Sequence, residues 1–230
     1  MKLFKSELSK RDKFKKSFLI CFILALGVAV CCSVYGDLSS DDFKVCIDAG
    51  HGGDSIGAVY GNDERLEKDD NLRLAQLLKD ELKKHSVDVI MTRNGDTEVS
   101  LSKRCRIANM NKADYFVCLH RNSSDDTTAC GTEMWISNSS TELEKAYAES
   151  ILAKLEGVGI SSNRGIKNGY RDGDGDYYIN AYTDMPSCLV ELGFISNKED
   201  NNEYDKNIEE YAKAIAEAII ETYEKEKANQ

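Results

Sequence analysis

The sequence predicts a single α/β domain with a mixed, largely parallel, twisted sheet that helices flank on both faces. Segments 44–48, 114–120 and 187–191 are apolar except at their ends, which is typical of strands buried on both faces. Helical spacing of apolar residues recurs between these strands, and an alternation of strands and helices favours a parallel sheet. Pro186 is the single proline among 230 residues, so no Pro-rich linker divides the chain.

The same patterns place the remaining elements. They predict strands at 88–92 and 132–137, and helices that begin near residue 67 and at about 101–112, 141–155 and 207–224. The stretch 157–176 is polar and rich in glycine, so we expect a surface loop or hairpin there.

Residues 1–36 differ in composition from the rest of the chain. Seven Lys and Arg residues precede an apolar run at 18–35, a pattern that the export machinery reads. The run is long for a signal-peptide core and short for a spanning helix, so it predicts either a cleaved signal peptide or an uncleaved membrane anchor. A lipid anchor on Cys31 is disfavoured because Val30 precedes it. Either way, we expect residues 37–230 to lie in the extracellular or cell-wall space.

The charge of the chain limits the classes of macromolecule that it can bind. The chain has a net charge of −10 although its first segment is basic, so the remainder is strongly acidic. Such a surface repels nucleic acid and anionic lipid, so we expect membrane contact only through the N-terminal segment.

The five cysteines beyond that segment form no CxxC pair, and we interpret them as small buried hydrophobes. We expect the protein to be a monomer.

Three reactive side chains lie at the ends of predicted strands. His51 follows the first strand, His120 ends the third, and Glu191 ends the fifth. In an open α/β sheet the carboxyl ends of the strands form the usual ligand-binding crevice, so these groups are expected to converge. Two imidazoles and one carboxylate suit a catalytic zinc with an open position for water.

The identity of the carboxylate ligand stays open on these grounds. Glu67 begins the first long helix, where the helix dipole favours a carboxylate, but Glu64 and Asp69 lie in the same acidic patch. Glu191 could instead be a buried carboxylate paired with an arginine such as Arg164. Spacing alone also leaves the identity of the metal open.

Four segments, in order along the chain, resemble the catalytic domain of zinc-dependent N-acetylmuramoyl-L-alanine amidases: KVCIDAGHGGDSIGAVYG, LEKDDNLRLA, DYFVCLHRN and CLVELGFISN. The similarity runs from about Lys44 to the C-terminal helix. It implies that residues 37–230 are such a catalytic domain. It also implies that His51, Glu67 and His120 hold Zn²⁺ and that Glu191 is the catalytic residue.

The resemblance further implies a peptidoglycan hydrolase that cleaves the amide bond between N-acetylmuramic acid and the L-alanine of the stem peptide. Zinc would activate the attacking water, and Glu191 would act as acid and base. Two other functions stay open: a non-catalytic peptidoglycan-binding module and a zinc peptidase with another secreted substrate. Within the amidase interpretation, the sequence is compatible with an autolysin, a spore-cortex enzyme of sporulation or a phage-derived lysin.

Arg121 departs from the pattern of the resembled family, which usually has a small residue after the strand histidine. We expect a bulky cation beside the metal to repel a cationic substrate group or to hold a carboxylate of the stem peptide. The departure affects the expected substrate preference and leaves the expected metal site unchanged.

Overall fold

A six-stranded mixed sheet forms the centre of the fold in the computed structural model, which describes residues 43–61, 64–171 and 173–229. The strands in these ranges are β1 (Lys44–Ala49), β2 (Val59–Tyr60), β3 (Arg65–Leu66), β4 (Asp88–Met91), β5 (Tyr115–Asn122), β6 (Thr132–Ile136), β7 (Asn163–Asn168) and β8 (Ser187–Phe194). The sheet order is β4-β1-β5-β8-β6-β7, and neighbours are parallel except β6 and β8. The predicted mixed, largely parallel sheet is confirmed.

Helices cover both faces of this sheet, as predicted. They are α1 (Glu67–Lys84), α2 (Leu101–Met110), α3 (Glu142–Val158), α4 (Tyr178–Tyr182) and α5 (Lys198–Ala228). One core lies between the sheet and α1, α3 and α5, and the other lies between the sheet and α2 and α4. Neighbouring residues of one strand pack in different cores: Val117 of β5 lies in the first and Cys118 in the second. Asp42–Gln230 forms one compact unit.

Strand β7 lies in the stretch predicted to be a loop or hairpin, so that prediction was wrong there. Its sequence, NRGIKN, has one large apolar side chain, Ile166. β7 is the last strand in the sheet order and pairs with β6. An edge strand of this kind buries little apolar surface, so hydrophobic patterning gives it no signal.

Helix α5 begins at Lys198 rather than near residue 207. Its first turns are polar, and the start is set by the Asn197 side chain, which accepts hydrogen bonds from the backbone N–H groups of Glu199 and Asp200. Apolar spacing identifies only the later turns that pack on the sheet. The sequence also gave no sign of β2, β3 or α4, because such short elements do not show a period.

Four of the five described cysteines are buried, as predicted for small hydrophobes. These are Cys46, Cys105, Cys118 and Cys188, whereas Cys130 is half-buried; all five are free thiols. Burial raises the pKa of the Cys118 thiol well above its ordinary value, and the Asp48 carboxylate adds to the shift. Such thiols stay protonated and unreactive at neutral pH.

The predicted signal peptide or anchor at residues 1–36, and the domain boundary after it, lie outside the described residues. Among the helices that are described, none is both long and apolar enough to cross a bilayer.

Candidate metal centre

The four predicted site residues lie at one edge of the sheet. His51 is in the turn after β1, His120 is in β5, and Glu191 of β8 is its neighbour in the strand register. Glu67 is the first residue of α1 and is buried. Residues that are far apart in the sequence are thus brought together at the carboxyl ends of parallel strands, where ligands bind in such sheets.

Glu67 lies between the two histidines. Its Oε2 is 3.2 Å from His51 Nε2, and its Oε1 is 2.8 Å from His120 Nδ1. One possible ligand atom from each of the three residues lies within 4.8 Å of the others. The part of the chain that the structure describes contains no other group of three or more His, Cys, Asp or Glu side chains that could share a metal ion.

The chemistry of this donor set fits zinc. Zinc binds imidazole nitrogen and carboxylate oxygen, and a catalytic zinc has three protein ligands. The second ring nitrogen of His51, Nδ1, is 3.0 Å from the Ser55 hydroxyl, a contact that orients the ring. The Glu67 carboxylate accepts hydrogen bonds from the backbone N–H groups of Ala58 at 2.9 Å and Arg121 at 3.1 Å. These contacts keep the possible ligand atoms together.

Electrostatics couples the members of this group. Burial raises the pKa of Glu67, but hydrogen bonds with His120 and His51 outweigh burial and hold the pKa well below its ordinary value. Burial lowers the pKa of His120, whereas the Glu67 carboxylate raises it, and the net shift is upward. Glu67 is therefore charged at neutral pH, and protons compete with a metal ion for His120.

The two other carboxylates considered for the ligand role lie elsewhere. Glu64 precedes β3 and is exposed, and Asp69 is exposed on α1. Residues two apart on a helix point in different directions, so Asp69 faces solvent when Glu67 faces the sheet. The structure therefore favours Glu67.

Two buried arginines that the sequence analysis did not identify hold the turn that carries His51. Arg104 of α2 donates to the carbonyl oxygens of Ala49 and His51, both at 2.7 Å. Arg93 donates to the carbonyl oxygens of Ala49 at 2.8 Å and Gly50 at 3.0 Å. They satisfy buried carbonyl groups in a turn where His51 has a left-handed φ of 61°. Arg104 lies at a position of α2 that helical spacing turns toward the sheet. This placement is the sequence signal that could have identified it.

Gly50 leaves room for the ring of His120. A Cβ atom at position 50 would lie 2.3 Å from His120 Nε2. We therefore expect Gly50→Ala to displace this ring and to weaken zinc binding roughly 10- to 100-fold, the usual effect of disturbing the support of a metal ligand. Calorimetric titration with Zn²⁺ measures the affinity. Gly95→Ala is the control, because a Cβ there meets nothing within 4 Å; equal affinity of the two variants would contradict the prediction.

Glu191 is a buried carboxylate with an unsatisfied oxygen. It lines a cavity of about 320 Å³ together with His51 and His120. Within the described ranges, no group forms a hydrogen bond with its Oε2. Burial is the main cause that raises the pKa of Glu191 to about 7, and the charge of Glu67 adds to it. A carboxyl group with such a pKa can accept and donate a proton at neutral pH.

The alternative pairing of Glu191 with Arg164 does not form. Arg164 Nε instead donates to Glu133 at 2.8 Å. Arg171 Nη2 is 3.6 Å from Glu191 Oε1, a distance too long for a hydrogen bond. Glu191 therefore forms one long ion pair, with Arg171 rather than Arg164, and its other oxygen, Oε2, has no hydrogen-bond partner among the described residues.

Arg121 does not face the site, so the expectation of a cation beside the metal was wrong. Its side chain is fully buried between α1 and α5, where Nη1 donates to Asp70 at 2.7 Å and Nη2 donates to Asn201 at 2.8 Å. The guanidinium also lies 4.2 Å from the centre of the Tyr204 ring. Successive residues of a strand point to opposite faces, so the residue after His120 points away from the cavity.

Arg121→Met is expected to destabilise the fold and to leave zinc binding intact. We expect the loss of this buried ion pair to lower the free energy of unfolding by about 3 kcal/mol. This is the low end for buried pairs, because Arg65 still contacts Asp70 at 2.8 Å in the variant. Urea unfolding measures the free energy, and elemental analysis measures zinc. Arg73→Met, which removes an exposed contact with Asp205, is the control and should change stability by less than about 1 kcal/mol. Zinc loss at unchanged stability would assign Arg121 to the site.

Comparison with known proteins agrees with this geometry. A family model described as N-acetylmuramoyl-L-alanine amidase matches residues 45–221, which is most of the chain.

The chain belongs to the N-acetylmuramoyl-L-alanine amidase family. This amidase is 35% identical over 206 residues to YqiI of Bacillus subtilis, a match that covers 89% of this chain and 93% of YqiI. It is 31% identical over 182 residues to the N-acetylmuramoyl-L-alanine amidase LytC of the same organism. That match covers 78% of this chain and 35% of LytC, so the chain spans about a third of LytC.

A solved structure shares the fold. The catalytic domain of CwlV, an N-acetylmuramoyl-L-alanine amidase from Bacillus (Paenibacillus) polymyxa, superposes with a TM-score of 0.71 at 31% identity and covers 79% of this chain and 98% of that domain. The predicted family, enzyme class and fold are confirmed.

Proposed function

We propose that this amidase hydrolyses the bond between N-acetylmuramic acid and the L-alanine of the stem peptide, with Zn²⁺ held by His51, Glu67 and His120 and with Glu191 as acid and base. Membership of the family supports the bond and the peptidoglycan substrate. One observation carries the residue roles: Glu191 is buried, its Oε2 has no hydrogen-bond partner among the described residues, and it shares a cavity with both histidines.

His51, Glu67 and His120 would form the zinc site. When bound, the ion supplies a Lewis acid for the scissile carbonyl and lowers the pKa of water toward ~7. The chain contributes two imidazoles, which must be neutral to bind a metal, and one carboxylate, which hydrogen bonds keep charged.

Glu191 moves the proton in this proposal. Attack of water on the carbonyl carbon forms a C–O bond and releases a proton, which the Glu191 carboxylate accepts. Breaking the C–N bond requires that proton on the departing L-alanine nitrogen, because an amide nitrogen is a poor leaving group, and Glu191 returns it. Burial, which raises the pKa of Glu191, favours uptake of the proton in the first step.

We also propose that the enzyme is exported and acts in the cell-wall space, because its substrate lies outside the cytoplasmic membrane. The monomeric state stays a prediction. N-terminal sequencing of the exported protein tests the prediction for residues 1–36. A new N terminus near residue 37 indicates a signal peptide, and an intact chain in the membrane fraction indicates an anchor. An intact chain in the cytoplasm would contradict export. A role in sporulation stays a prediction.

Digestion of purified cell-wall sacculi tests the proposed reaction. An amidase releases intact stem peptides with a free L-alanine amine, which mass spectrometry identifies. A zinc peptidase would release peptides cut within the stem. A binding module would sediment with the sacculi and release nothing. Either of the last two results would overturn the proposal.

A further inference from the structure

A cluster of three cations lies next to Glu191. Arg164 and Lys167 of β7, and Arg171 in the turn that follows, converge on the carboxylate of Glu133 at 2.8, 2.8 and 3.3 Å. We call Arg164, Lys167 and Arg171 the cation cluster. Arg171 Nη2 also lies 3.6 Å from Glu191 Oε1. The proposed chemistry uses none of these three residues.

A bulge in β7 brings the cluster to one face of the sheet. Arg164 and Lys167 are three residues apart, so a regular strand would direct them to opposite faces. The register with β6 slips between Thr132 and Met134, where β7 contributes an extra residue, and Gly165 there has a φ of 82°. The bulge therefore lets both cations reach the same carboxylate, and bulges that redirect side chains are common next to active sites.

The cluster has more positive charge than Glu133 neutralises. Burial raises the pKa of Glu133, but hydrogen bonds from Lys167 and Arg164 outweigh it and bring the pKa to about 2. Three positive charges therefore face the Glu133 carboxylate and, through Arg171 alone, the carboxyl group of Glu191. Asn122 and Trp135 also donate to this carboxylate, at 2.9 and 3.1 Å. Because a carboxylate offers about four lone-pair sites, Glu133 is saturated, and the cations keep donors for a second anion.

The three cations are accessible to solvent, although the Glu133 carboxylate that they contact is buried. The side chains of the cluster are 35–36% exposed, whereas that of Glu133 is 2% exposed. The whole chain has a net charge of −10, so this positive surface next to the cavity stands out from its surroundings. Guanidinium groups bind carboxylates through paired N–H donors, which makes an anionic carboxylate the best-matched ligand.

The departing amine determines which part of the substrate reaches the cluster. In the proposed function Glu191 returns a proton to the L-alanine nitrogen, so the peptide side of the scissile bond lies at Glu191. From β8, which carries Glu191, the sheet continues through β6 to β7. Glu133 of β6 is the register partner of Glu191, so the cations that extend from β7 to Glu133 lie between one and two strand spacings from Glu191, about 5–10 Å, or up to about three extended residues. The cluster is therefore within reach of a carboxylate two or three residues into the stem peptide.

We propose that the cation cluster binds an ionised carboxylate at the second or third residue of the stem peptide and so determines substrate preference. The proposal rests on the proposed function, because the role of Glu191 gives the direction of the peptide. The sequence suggested that Arg121 holds a carboxylate of the stem peptide. The proposal assigns this contact to residues of β7 and the turn after it instead.

Lys167→Gln tests the proposal with paired substrates. These are muramoyl-peptides that carry either a carboxylate or a carboxamide at the second or third residue. The wild type should have the higher kcat/KM on the carboxylate form. Lys167→Gln should lose about tenfold on that form alone, the size of one charge-assisted hydrogen bond. Lys167→Arg should retain the preference. Lys154→Gln is the matched control, because that amine is also ion-paired, with Glu217 and Glu221, and its side chain is 31% exposed.

Two kinetic results would overturn the proposal: an unchanged preference in Lys167→Gln, or an equal fall in kcat/KM on both substrates. If the variant does not fold, calorimetric titration of the wild type with the released stem peptide decides instead. The carboxylate form should bind about tenfold more tightly than the carboxamide form, and equal affinities would contradict the proposal. If the wild type cleaves neither substrate, the proposed function fails, whereas the peptide titration still tests the cluster.

Discussion

Glu191→Gln is expected to remove turnover and to leave zinc in place. The substitution keeps the shape of the side chain but removes the group that accepts and returns the proton. We therefore expect kcat on muramoyl-peptides to fall by about 10²- to 10⁴-fold. Glu191 is not a ligand in the proposed site, so the zinc content per chain, measured by elemental analysis, should equal that of the wild type.

Glu64→Gln is the control for this variant, because it makes the same change at an exposed carboxylate. Its kcat should match that of the wild type. Turnover by Glu191→Gln within tenfold of the wild type would mean that another group carries the proton. Loss of zinc from Glu191→Gln would instead identify Glu191 as a ligand.

His120→Ala is expected to remove zinc and activity together. A catalytic zinc has three protein ligands, and the variant leaves two. It also leaves Glu67 Oε1 without its 2.8 Å contact in a buried position. We expect zinc affinity to fall by more than about 100-fold, beyond the usual effect of losing a residue that only supports a ligand. Elemental analysis after dialysis measures the bound metal.

The chain offers a matched control in its third histidine. His85 follows α1 and is exposed, so His85→Ala should keep both zinc and turnover. Full retention of zinc by His120→Ala would remove His120 from the ligand set. A comparable zinc loss in both variants would point to general destabilisation, and urea unfolding would detect it.

The convergence of three site residues could be predicted from the sequence because it follows from topology. His51, His120 and Glu191 each end or follow an apolar strand, and parallel strands bring their carboxyl ends to one edge. This reasoning needs no knowledge of side-chain packing. It could not choose Glu67 over its acidic neighbours, because that choice depends on the direction of one face of α1; the family resemblance supplied it.

The charged residues around the site were not predicted correctly, for two different reasons. The direction of Arg121 follows from the alternation of side chains after His120 in a strand, but its partners Asp70 and Asn201 come from helices distant in sequence. Arg164 and Lys167 face Glu133 only because β7 contains a bulge, and β7 itself gave no strand signal. Pairing between charged groups across the sheet is not encoded in the hydrophobic pattern from which the strands were predicted.

A zinc titration of the chelator-treated protein tests the central claim most directly. The metal is removed, Zn²⁺ is added back in steps, and hydrolysis of a muramoyl-peptide is measured at each step. The proposed site predicts no activity without metal, a rise in proportion to added zinc, and a plateau at one zinc per chain. Mg²⁺ should not restore activity, because it prefers oxygen ligands over imidazole. Activity that persists in the metal-free protein would contradict the proposed site.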